Sequence, residues 1–176
     1  MDARLHHLQS ETDVVTPPEL LSLLQAFYRE TLDLVQARQV HARSVKEYSA
    51  NNAYQQILGR QDVHLQWLAD AMTPLGGAAP SPGQSQEDAV TTPHANERSL
   101  LESDAQNQQS FIERWSTLVE GISNARHHRM FQLILGEMKE HLRVLQQALA
   151  GRTDLLGRHT DGKILRGEVM ATRPRN

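Results

Sequence analysis

The sequence predicts an all-α protein: a four-helix bundle with one long crossover between its second and third helices. Three observations carry this. Apolar residues recur at helical spacing in four segments of roughly 22 to 30 residues each, about 35–45 Å long. The segment 73–96 is of another kind, with Pro74, Gly76, Gly77, Pro80, Pro82, Gly83 and Pro93 set among Ser and Gln. The other two connections are short. Two dozen extended residues reach up to roughly 75 Å, enough to run the length of such a bundle.

The first helix has the clearest start. Thr16 is a good N-cap, Pro17 suits the first helical position, and Glu19 closes a capping box. Leu20, Leu24, Phe27, Tyr28, Thr31, Val35, Arg38, Ala42 and Val45 then share one face. A polar break at 48–52 leads into the second helix, whose stripe is Tyr54, Leu58, Gln61, Leu65, Leu68 and Met72. The third helix begins near Glu97 and carries Leu100, Asp104, Asn107, Gln108, Phe111, Trp115, Leu118 and Ile122. Gly121, Ser123 and Asn124 break it. The fourth, with His127, Phe131, Ile134, Met138, His141, Leu145 and Leu149 inward, stops at Gly151. Short connections favour antiparallel neighbours. The organisation is therefore a polar N-terminal arm at 1–15, the bundle at 16–150 with its linker at 73–96, and a basic tail at 151–176.

Composition narrows the function classes. No apolar run approaches 18 residues, so no membrane span is expected. Residues 1–13 are polar and lack the apolar stretch of a secretory signal, which gives an expectation of a soluble, cytoplasmic protein. The absence of Cys excludes disulfides and thiolate metal sites. A net charge of −3 argues against nonspecific nucleic-acid binding, although Arg152, Arg158, Lys163, Arg166, Arg173 and Arg175 make the tail locally basic. There is no Gly-rich phosphate loop and no Ser or Cys nucleophile arrangement. Whether the chain is an enzyme is left open, and so is its oligomeric state: long amphipathic helices allow a homodimer, but the outward faces are ordinary.

The polar residues on the apolar faces carry whatever chemistry there is. A helical wheel puts Gln61 near the centre of the second helix's face with His64 on its flank. On the fourth helix Met138 and His141 are central and Glu137 is at the edge. Asp104, Asn107 and Gln108 interrupt the third stripe, and Glu30 lies to one side of the first. Buried polar groups cost free energy unless paired, so these must bond one another or bind something.

In this order of segments, with His64 followed by Leu65, Trp67 and Leu68 and with His141 on the last helix, the chain resembles the ferritin-like superfamily over 17–150. It resembles rubrerythrin-like and bacterioferritin-like bundles in particular. The resemblance implies a carboxylate–His metal site holding iron or manganese, with a role in metal handling or the oxidative-stress response. The metal ligands it points to are Glu30, His64, Asp104, Glu137 and His141, with Glu102 an alternative to Asp104. The pattern departs from the family at two places. The family's Glu three residues before each His is here Gln61 and Met138, a neutral amide and a thioether where hard, anionic oxygen ligands are needed. The alternative expectation is a metal-free structural or partner-binding bundle whose site has decayed. A triad of His64, His127 and His141, as in bacillithiol-transferase-like bundles, is disfavoured. His127 and His141 lie fourteen residues apart on one helix, some 20 Å.

Overall fold

The computed structural model describes residues 15–81 and 96–156. The N-terminal arm up to residue 14, the crossover at 82–95 and the tail at 157–176 lie outside the described residues. Four helices form: α1 (Pro17–Ala42), α2 (Tyr48–Met72), α3 (Glu97–Glu120) and α4 (Ala125–Leu149). A short 3-10 turn, Thr73–Leu75, follows α2.

Each helix begins where a side chain can satisfy free backbone N–H groups. At α1 the backbone N–H and the hydroxyl of Thr16 both donate to Glu19 Oε2, at 2.8 and 2.7 Å. Asn96 and Asn124 accept from Arg98 N–H and His127 N–H at the starts of α3 and α4. The start of α2 corrects the expected break at 48–52. The break is 43–47, and Glu47 caps the helix, its carboxylate accepting from the N–H groups of Ser49 and Ala50. The expected stop at Gly151 is present, with its φ at 77° in the left-handed region.

Three sets of contacts fix the topology. Asn51 Nδ2 donates to the carbonyls of Ala42 and Val45, folding α2 back along α1. Between α1 and α3, Glu30 meets Trp115, Arg38 meets Gln108 and His41 meets Asp104. As one residue number rises the other falls, so α1 and α3 are antiparallel. With α1 antiparallel to both, α2 and α3 run parallel. Their connection therefore starts at one end of the bundle and finishes at the other. Gln25 Nε2 bonds Ala78 O near the start of α1, while the carboxylate of Glu97 accepts from Glu47 N–H at the opposite end. The expected long crossover follows from these anchor points. Helix α4 packs antiparallel on α3, with Arg98 reaching Leu149 O and Gln108 reaching Met138 O.

The core runs the length of the bundle. At one level Phe27 is the hub, edge-on to Phe111, Trp115 and Phe131 at centroid distances of 4.8–5.0 Å. The face of α3 needs correction. Its buried residues are Leu101, Asp104, Ala105, Gln108, Phe111, Ile112, Trp115 and Val119. Asn107 and Leu118 are exposed, and Leu100 is half-buried. The buried stripe is centred on Leu101, Gln108, Trp115 and Val119, rotated from the expected face that included Leu100, Asn107 and Leu118.

Candidate functional site

Halfway along the bundle the apolar core gives way to polar side chains from all four helices. Arg38 on α1, Gln61 and His64 on α2, Asp104 and Gln108 on α3, and His141 on α4 are all buried. Arg38 is the unusual member, a guanidinium with no exposure at all. It sits one turn past Val35 on the α1 stripe, so helical periodicity alone drives it inward.

The residues form two linked groups. In the first, Arg38 Nη2 donates to Gln108 Oε1, and Gln108 Nε2 donates to Met138 O at 3.2 Å. Asp104 Oδ2 accepts from Tyr54 Oη at 2.6 Å and lies 3.0 Å from His41 Nδ1. Burial works against the charge on Arg38, and the charge of nearby Asp104 opposes that effect. Burial and the Asp104 carboxylate together hold the Tyr54 phenol protonated far above its usual range.

The second group spans α2 and α4. Arg60 clamps Glu137 with Nε and Nη2 on its two carboxylate oxygens. His64 Nε2 lies 2.7 Å from Glu137 Oε2. The Arg60 hydrogen bonds, reinforced by His64, pull the Glu137 carboxyl down to about 2. His64 stays below the ordinary imidazole value because burial outweighs its bond to Glu137. His141 stacks near His64, with ring centroids 6.1 Å apart and planes inclined by 27°. Burial first, then the charge of Arg38, lowers His141 to about 4. Both imidazoles are thus neutral at pH 7. Arg60 also lies over the Trp67 ring at 5.2 Å.

The five candidate ligands are only partly brought together. His64 and Glu137 touch, and His141 is beside them. Asp104 is taken by Tyr54 and His41. Glu30 is at the α1–α3 surface, where Arg114 and Trp115 Nε1 (2.9 Å) hold its carboxylate. Glu102, the alternative to Asp104, is exposed and paired with Arg98. Among the described residues no group of three or more His, Asp or Glu could hold a metal ion. His127, the other notable imidazole, lies 2.8 Å from the capping side chain of Asn124.

Sequence reasoning missed the roles of Arg38, Arg60, His41 and Tyr54. For Arg38 the signal was available: a charged residue at the centre of an apolar stripe needs a buried partner. For Arg60 no sequence feature singles it out, since its partner is seventy-seven residues away.

This donor set does not fit a pair of divalent metal ions. Two such ions would add four positive charges to a buried level that already contains Arg38. Its two carboxylates, Asp104 and Glu137, are each committed to protein donors, and Gln61 and Met138 supply no further charge.

Comparison with known proteins supports the architecture. A two-domain protein from Anabaena variabilis, containing DJ-1/ThiJ/PfpI-like and ferritin-like domains, superposes with a TM-score of 0.66 at 15% identity. The match covers 86% of this chain and 42% of that one. The fold is ferritin-like. No protein-family model and no curated protein matches the chain. No described helix is long and apolar enough to cross a membrane.

Proposed function

We propose that this chain is a ferritin-like bundle that does not run two-metal chemistry and acts as a structural or partner-binding protein. The buried guanidinium of Arg38 carries this reading. It provides a fixed positive charge inside the bundle, with Gln108 and Asp104 arranged about it. The Arg60–Glu137 clamp supports it further, because it uses both oxygens of the carboxylate that contacts His64.

A second reading keeps the metal-handling or oxidative-stress role with a single iron or manganese. The contact of His64 with Glu137, with the His141 ring 6.1 Å from that of His64, favours it. Iron titration followed by dialysis separates the two. On the first reading wild-type protein retains no stoichiometric iron, and the Gln61→Glu plus Met138→Glu variant retains more than wild type because it restores two hard ligands. One tightly held iron per wild-type chain, lost in His64→Gln, would establish the second reading instead.

A further inference from the structure

Six buried side-chain atoms have no hydrogen-bond partner among the described residues, and they belong to the same polar level. They are Arg38 Nε and Nη1, both amide atoms of Gln61, and Nδ1 of His64 and of His141. They come from α1, α2 and α4, and Gln108 of α3 closes the fourth side by bonding both Arg38 and Met138 O. Arg38 offers donors only, whereas Gln61 offers a donor and an acceptor. A neutral His64 that donates from Nε2 to the Glu137 carboxylate carries a lone pair on Nδ1, an acceptor. Asp104 Oδ2 is engaged by Tyr54 and His41, and Arg38 bonds Gln108 through Nη2, so Nε and Nη1 of Arg38 have no carboxylate in hydrogen-bond contact among the described residues.

A ligand that answers this array needs an anionic oxygen for Arg38 and an O–H of its own for the lone pair on His64. It must also be small. The unpartnered atoms are closed over by their neighbours, so only a small ligand fits and its entry requires local opening of the bundle. We propose that the centre of the bundle binds one small oxyanion bearing an O–H, of the size and chemistry of hydrogencarbonate, between Arg38, Gln61, His64 and His141. The proposal goes beyond the reading above and holds whether or not a partner docks on the outer faces.

The test uses the full chain, freed of metal with a chelator and degassed, at about pH 8 and constant ionic strength. Thermal unfolding and calorimetric titration are run with hydrogencarbonate, formate and chloride. Hydrogencarbonate should raise the Tm saturably with one site per chain, and formate, which lacks the O–H, should bind at least several-fold more weakly. Chloride should produce no saturable shift. Arg38→Met should abolish the effect. Because that variant removes a buried charge and can fail to fold, Gln61→Leu is the second probe. It removes two unpaired polar atoms without changing charge, so it should fold at least as well as wild type, and it should lose roughly tenfold in affinity, the worth of one hydrogen bond. Equal shifts with all three anions, an unchanged affinity in Gln61→Leu, or no one-site binding in a wild-type chain that folds normally would each overturn the proposal.

Discussion

Arg38 decides how the interior is read. A buried cation is tolerated when a buried anion and hydrogen-bond acceptors lie close, and removing it leaves Asp104 without a compensating charge. Arg38→Met should therefore lower unfolding free energy by about 3 kcal/mol in urea denaturation. The double variant with Asp104→Asn should recover a large part of that loss, and strict additivity would refute the coupling. His141 gives the corresponding pH dependence. Its folded pKa of about 4 lies below the ordinary 6.5, so the unfolded chain takes up a proton that the folded chain refuses. Stability from this group is complete above about pH 6.5 and is lost as pH falls toward 4, on the order of 3 kcal/mol across that window. Glu137 acts lower down: its depressed pKa adds stability above the ordinary 4.5 that is lost as pH falls toward about 2. The slope of Tm against pH between 7 and 4 should flatten in His141→Gln, and an unchanged slope would mean that another group carries it.

At the scale of the helix, much was legible because capping chemistry and periodicity are local. Thr16, Glu19 and Gly151 sit where the sequence placed them. The start of α2 was misread because Glu is a weak N-cap by preference, and only the fold shows Glu47 curled over Ser49 and Ala50. Glu47→Ala should cost about 1 kcal/mol, read from the urea midpoint. The face of α3 was misread because Leu100 and Leu118 flank the true stripe, and which row is buried depends on the contact with α4. Long-range partners were not legible at all. Asp104, His64 and Glu137 stood out as polar residues on or beside core faces, but their engagement by Tyr54, His41 and Arg60 depends on how the helices meet. At the aromatic level the outcome is simple: Phe27→Ala removes the hub of three edge-to-face contacts and should cost about 4 kcal/mol in the same assay.

At the scale of the whole molecule, the up-down-down-up order of helices could be anticipated from the placement of one Pro/Gly-rich segment, and the ends of α2 and α3 lie at opposite ends of the bundle accordingly. The fold class and the topology thus agree with the sequence, while the chemistry implied by that fold depends on a few interior residues. Two of those, Gln61 and Met138, lack the charge a metal pair requires, and a third, Arg38, supplies charge of the opposite sign. The most direct test is the metal content of the protein purified from cells supplemented with iron and manganese. Well below two metal ions per chain are expected. Two stoichiometric irons, bound by the wild-type protein, would contradict it and would mean that the Arg60–Glu137 clamp opens to release a ligand.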